Sequence, residues 1–309
     1  MRPSAKAVAV TASTLALFSG LLAVAGPLAP SAGPIGATYK TLTDVEPRIP
    51  ISQATTPGNA TSTFRITQPG SYYLTGNVTG EAGKAELDVA AAYVTIDLNG
   101  YQLKGVAGSL KGVWVRTGSV LIRNGNISSW GDDGVGYDGG ASNIQVHSVN
   151  SQANGGAGIA VGAFGEIRNC RVFSNAQGGY RLYSAGHLLD SIAVSNTGVG
   201  VLVGNSGCIV RGCVVSSSTG DGYAAAVNAN IFENCIANFN GGDGFDIDQS
   251  MIHGCTAASN SGFGFVLGNA NLSPTDATKF FAAHYLKGGF FNSGKFYDAA
   301  LDALVLKIP

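Results

Sequence analysis

The chain has 309 residues, of which 45 are glycine, 12% are charged and 45% are hydrophobic. So few charges with so much apolar side chain exclude a disordered chain, and the absence of a strict every-third-residue glycine period excludes collagen. Basic and acidic residues nearly balance, 18 against 19, which gives no electrostatic footprint for nucleic acid.

The N-terminus has the pattern of a secretory leader. Arg2 and Lys6 precede an apolar or small stretch over residues 7–25, and Ala23-Val24-Ala25 offers a small-x-small cleavage site before Gly26. Residues 1–25 are therefore expected to be removed on export, and residues 26–59 to form a linker and N-terminal cap. Loss of the two leader cations leaves 16 basic and 19 acidic residues. No later run is apolar enough to cross a bilayer, so the mature chain is expected to be secreted or held at the cell surface without a membrane span.

Residues 64–74 (FRITQPGSYYL) and 94–103 (VTIDLNGYQL) alternate apolar and polar positions, as irregular early coils would. Residues 44–48 are read as a short helix closing the first coil. From there a period governs the chain. A glycine followed by an apolar residue recurs at Gly134, Gly158, Gly179, Gly200, Gly222, Gly244 and Gly264, with spacings of 24, 21, 21, 22, 22 and 20. A period near 22 signals a stack of like coils, each too small to bury its own apolar side chains.

Aligning the coils on that glycine exposes their columns. Four residues before it stand Trp130, Asn154, Asn175, Asn196, Ser218, Asn240 and Asn260; ten before it stand Asn124, Ser148, Asn169, Asp190, Gly212, Asn234 and Gly254. Both columns are read as turns, because Asn, Asp and Gly tolerate a left-handed backbone. Small or apolar residues seven and nine before the glycine fit one face of a strand, those at one and three after it fit a second strand, and Ile167, Leu189, Ile209 and Ile231 mark a third. Equivalent residues of stacked coils would lie about 4.8 Å apart, with the Asn side chains hydrogen-bonded in file. The expected fold is all-β: a parallel β-helix over residues 60–271 with three short strands per coil. Residues 272–309, with Ser273 and Pro274 as a helix start, form a helical C-terminal cap.

The stretch Asn240–Asp248, NGGDGFDID, concentrates carboxylates. Asp243 shares a column with Asp133 and Asp221 and reads as a turn carboxylate bonding its own backbone. Asp246 and Asp248 alternate with Phe245 and Ile247, so they point outward, about 6–7 Å apart. They are the catalytic candidates, as an acid/base pair, and with Asp243 they are a candidate calcium site. Arg181 and Tyr183 occupy the same outward columns three coils away and are the candidate substrate-binding residues. His147 and His253 share a column with Arg123, Arg168, Leu189, Arg211 and Glu233, which reads as a surface charge ladder. Cys170, Cys213, Cys235 and Cys255 share an inward column, and with Cys208 are expected to be mostly free buried thiols.

The N-x-x-G-x-G-Φ pattern, where Φ is apolar, together with the Asn column resembles the pectin-lyase-like, right-handed parallel β-helix superfamily over roughly residues 60–270. Its members include polysaccharide lyases, polygalacturonases, alginate epimerases and phage tailspikes. The resemblance implies a right-handed coil and an extracellular polysaccharide as partner. GFDID is faintly similar to the G-F-D-P-H-D signature of the epimerases, with Ile247 and Asp248 replacing the Pro and His. Trp130-Gly131-Asp132-Asp133-Gly134 resembles the paired aspartates of polygalacturonases without their companion motifs. GGDGFD fits the start of a calcium-binding nonapeptide repeat, but once and at the wrong period. The alternative function is a non-catalytic structural or surface-interaction module.

Overall fold

The computed structural model describes residues 47–268 apart from 228 and 249, together with the strand Phe296–Asp298. All of these lie in the second of the two compact units into which the chain divides, Met1–Glu46 and Pro47–Pro309. The expected leader lies outside the described residues, and so does the C-terminal cap except for Phe296–Asp298. That segment is a strand, paired in parallel with Phe265–Gly268. Of the short helix expected over residues 44–48, Pro47 and Arg48 are described and are not helical. No helix among the described residues is long and apolar enough to cross a membrane.

The chain winds as a parallel β-solenoid. Each regular coil contributes three strands, which we number by the outer face they form. In one coil these are Glu166–Arg168 on the first face, Arg171–Phe173 on the second and Tyr180–Leu182 on the third. Each pairs in parallel and in register with its counterpart one coil later, so Ile167 lies beside Leu188, Val172 beside Ala193 and Tyr180 beside Val201. Such a stack satisfies the strand backbone between coils, since every N–H and C=O needs a partner. The first two faces run so closely together that Val120–Ser128 and Ile144–Gln152 are single nine-residue strands passing through both.

Alternation fills the interior. On the third face Val135, Ile159, Tyr180, Val201, Tyr223, Phe245 and Phe265 are all buried. The rings of Tyr223, Phe245 and Phe265 lie nearly parallel, 4.6 and 4.9 Å apart between centroids, which matches the coil spacing. The buried tyrosine hydroxyls find carbonyls: Tyr180 donates to Ile192 O at 3.0 Å and Tyr223 to Cys213 O at 2.8 Å. All five cysteines are buried and free, and burial pushes the Cys170 thiol up to about 11.

On the first face the interior column is Ile167, Leu188, Val210 and Phe232. Leu189, Ile209 and Ile231, which marked this strand in the sequence, stand one position to either side of that column and are half-buried. The interior four all stand twelve residues before the next repeat glycine, Gly179, Gly200, Gly222 and Gly244, so distance from that glycine fixes the strand's phase.

The Asn column is a ladder. Asn175 Oδ1 accepts from Asn154 N at 3.1 Å and from Asn154 Nδ2 at 2.9 Å, and Asn196 Oδ1 accepts the same two bonds from Asn175, both at 3.0 Å. Asn260 repeats the pattern for Asn240. These asparagines do not themselves adopt the left-handed backbone. The residue before each does, as does the one before Ser218 in the same column: Ala153, Ser174, Ser195, Ser217, Phe239 and Ser259 have φ between 52° and 57°. The ladder asparagine folds its amide into the corner instead. The other expected turn column is left-handed, from Asn124 at 61° to Gly254 at 64°.

The repeat glycine is required for space. A Cβ on Gly244 would stand 2.5 Å from Gly264 O and 2.8 Å from Asn260 Nδ2. The ladder begins where this rule breaks. Trp130 takes the place of Asn, and its N–H donates to Asn154 Oδ1 at 3.0 Å. Two coils earlier, the position level with the repeat glycine holds Glu86, fully buried beside Gly80 and with no hydrogen bond to either carboxylate oxygen. Burial, reinforced by Glu81, raises its pKa to about 7 against smaller lowering effects from Thr63 and Lys84.

Candidate functional site

The third outer face carries the sequence-predicted residues. Along the strand Phe245–Asp248, Phe245 and Ile247 are buried, Asp246 is exposed and Asp248 half-buried, as alternation requires. The register Arg181, Leu202, Ala224, Asp246 places Arg181 three coils from Asp246, about 14 Å. The predicted residues therefore fall into two groups on one face and do not converge on one point.

The acidic end is built by turns. Asp133, Asp221 and Asp243 share a column, but their carboxylates bond the next coil and not their own backbone. Asp133 Oδ1 accepts from Ala157 N at 2.7 Å, Asp221 Oδ1 from Asp243 N at 2.7 Å, and Asp243 Oδ1 from Phe263 N. Asp243 is thus largely occupied as a structural acceptor. Partial desolvation against the neighbouring coils, followed by the charges of Asp221, Asp243 and Asp248, raises the pKa of the exposed Asp246. Among the described residues no three His, Cys, Asp or Glu side chains are placed to hold a metal ion, so the geometry lends no support to a calcium site at Asp243, Asp246 and Asp248.

The other end is aromatic and cationic, and most of it escaped the repeat alignment. Asp88, fully buried at an outward position, binds Arg116 Nε at 2.6 Å and Arg65 Nε at 3.4 Å. Arg116 also reaches Asp138 at 3.3 Å and lies 3.7 Å from the centroid of Trp114, whose Nε1 donates to Asp138 at 2.6 Å. Lys111 bridges Asp132 and Asp133. Burial opposes its charge, but the two carboxylates outweigh it and raise its pKa.

Arg181 is fixed between these groups. Its guanidinium donates to Gln177 O at 2.9 Å and stands 3.8 Å from Asp133 Oδ1. Tyr183 meets the edge of Tyr137 with centroids 5.8 Å apart. Burial and then Tyr183 push the Tyr137 phenol up. The small residues of this face are floors for these rings: a Cβ on Gly162 would stand 3.1 Å from Tyr137, and one on Gly204 would stand 3.2 Å from Tyr183.

Trp114 and Arg116 were legible in GVWVR, where Val113 and Val115 point inward and the residues between and after them outward. Their coil precedes the first repeat glycine of the alignment, which left them without an equivalent. In the His147 column Arg211 binds its neighbour Glu233 at 2.6 Å and Arg123 binds Asp97 at 3.1 Å, as expected of a charge ladder, while His147 reaches Glu166, diagonally outside the column, at 3.1 Å.

Residues 162–279 match the family described as a right-handed β-helix region, which agrees with the hand expected from the resemblance. No curated protein sequence matches the chain. Among solved structures, the A-module of the mannuronan C-5 epimerase AlgE4 of Azotobacter vinelandii is similar at a TM-score of 0.43 and 14% identity, over 68% of this chain and 75% of that one. Pectate lyase Pel9A is similar at a TM-score of 0.35 and 14% identity, over 65% of this chain and 60% of that one.

Proposed function

We propose that this right-handed parallel β-helix binds an extracellular polysaccharide along its third outer face, after export directed by residues 1–25. The observation that carries the reading is the row from Trp114 to Tyr183. Trp114 and Arg116 stand on one coil, Tyr137 on the next, and Arg181 and Tyr183 two coils beyond, across Gly162, with the charged groups pinned by Asp88, Asp133, Asp138 and Gln177. Sugar rings present apolar C–H faces to aromatic side chains and hydroxyls to charged and amide groups. A surface whose side chains are already fixed loses little entropy on binding such a chain.

Arg181 and Tyr183 are the binding residues of this reading. Asp246 and Asp248 are its catalytic candidates, with Asp246 the proton donor of the pair because partial desolvation and the neighbouring carboxylates shift it toward its protonated form.

A glycan array probed with the full chain, followed by lyase and epimerase assays with and without calcium, tests the reading. Binding to at least one polysaccharide is expected, weakened about tenfold or more by Tyr183→Ala and by Arg181→Ala. Any bond cleavage or epimerisation is expected to be lost in Asp246→Asn with binding retained. A blank across the array, or binding indifferent to both substitutions, would leave the coils as a rigid non-catalytic spacer.

A further inference from the structure

The second outer face carries a groove that the third-face reading does not use. It encloses about 440 Å³ and is lined chiefly by Asn126, Asn150, Gln152, Arg171, Phe173 and Val194. Two columns form it. Asn126, Asn150 and Arg171 are register partners on successive coils, and so are Gln152, Phe173 and Val194. Asn150 Nδ2 donates to Asn126 Oδ1 at 3.1 Å, which aligns the two amides along the coil axis.

Arg171 is the unusual member. Every other described arginine has a carboxylate oxygen within 3.8 Å: Arg48 and Arg123 at Asp97, Arg65 and Arg116 at Asp88, Arg168 at Glu166, Arg181 at Asp133 and Arg211 at Glu233. Arg171 has none among the described residues and is exposed over the groove. Its five N–H donors form a planar fork that suits an oxyanion held by two parallel bonds. Next to it, the half-buried Phe173 offers a ring.

We propose that this groove is a second glycan site, separate from the third face, for a sugar unit carrying a carboxylate or sulfate. Arg171 grips the anionic group, the amides of Asn126, Asn150 and Gln152 exchange hydrogen bonds with hydroxyls, and Phe173 supports the apolar face of the pyranose ring. Side-chain amides both donate and accept, as hydroxyl-rich ligands need. A peptide adding as a strand needs a free sheet edge, and the strands lining this groove are paired with both neighbouring coils. A lone unpaired guanidinium gives too little positive charge to track a nucleic-acid backbone.

The test is titration of the full chain with four probes: hexagalacturonate, a sulfated galactan hexamer, the neutral galactan hexamer and poly-glutamate. Binding of one or both anionic sugars is expected, and which of them binds identifies the group that Arg171 holds. The neutral sugar and poly-glutamate are expected to bind at least about tenfold more weakly. Arg171→Ala should cost about tenfold or more, and Arg171→Lys should recover only part, since it restores charge without the fork. Melting temperature should be unchanged in both variants, because the side chain holds no hydrogen bond or ion pair among the described residues. Arg181→Ala, on the other face, should leave this binding intact. Undiminished binding in Arg171→Ala, equal binding of poly-glutamate, or no binding of either anionic sugar would overturn the proposal. Loss in Arg181→Ala alone would also overturn it, while supporting the third-face reading.

Discussion

Asn175→Ala is expected to lower the unfolding free energy by about 3–5 kcal/mol, read as a fall in the urea midpoint with the m-value unchanged. The side chain is fully buried, and its amide makes bonds on both sides. Oδ1 accepts the main-chain and side-chain N–H of Asn154, while Nδ2 donates to Asn196 Oδ1 at 3.0 Å and to Ser151 O at 3.2 Å. Alanine strands each of these buried partners without water. A buried polar group left unmade costs about 1–3 kcal/mol, so even partial relaxation leaves a large loss. The converse change is available at Ser218, which interrupts the file. Its Oγ has no hydrogen-bond partner, while its own N–H still donates to Asn240 Oδ1 at 3.0 Å. Ser218→Asn would carry the amide file from Asn196 through to Asn240, and a gain of about 1 kcal/mol is expected.

Glu86→Gln is expected to remove a pH dependence of stability centred between pH 4.5 and 7. The Glu86 pKa rises from 4.5 to about 7 on folding, chiefly because burial penalises the charged carboxylate. The native state therefore binds the proton more tightly than the unfolded chain. Its contribution to stability is fully present below pH 4.5 and is lost as pH rises through 7. At about 1.4 kcal/mol per unit, the loss amounts to roughly 3 kcal/mol by pH 8. Denaturant melts of both proteins at pH 4 and pH 8 check it. The stability of the wild type relative to Glu86→Gln should fall by about that amount between the two conditions. A difference that stays constant with pH would mean that Glu86 is solvated or paired in solution.

The period, the stacking register and the inward and outward positions of the third face were legible because they follow from two simple periodicities. A repeat near 22 sets which residues are neighbours between coils, and strand alternation sets which side they face. The ladder Asn154, Asn175, Asn196 follows from these alone. The interior column of the first face was within reach too, since Ile167, Leu188, Val210 and Phe232 all stand twelve before the next repeat glycine, although Leu189, Ile209 and Ile231 beside it were the residues that marked the strand. What the repeat alone could not show is which of two adjacent turn residues takes the left-handed backbone. Ser174 does so and Asn175 does not, because the amide of Asn175 is needed in the corner.

The candidate site was legible only in part, for a related reason. Outward placement of Asp246, Asp248, Arg181 and Tyr183 is a matter of parity. Partners are a matter of reach: Arg116 meets Asp88, 28 residues earlier in the chain, in a coil whose glycine position is held by Glu86 and whose sequence does not announce the repeat. Likewise Gly162 and Gly204 read as vacancies in sequence, yet they are the surfaces on which Tyr137 and Tyr183 lie.

Every site described rests on consecutive coils lying in register, and distances between spin labels test that most directly. Asn150 is the fixed point, with the second label placed in turn at Val214, Ile236 or Thr256, its partners three, four and five coils on. The buried native cysteines are shielded from the label in the folded protein. The mean distance should grow by about 4.8 Å with each added coil, from about 14 Å upward. Distances that do not rise evenly with coil number, or that spread broadly in all three pairs, would contradict the stacked ladder and the two faces built on it.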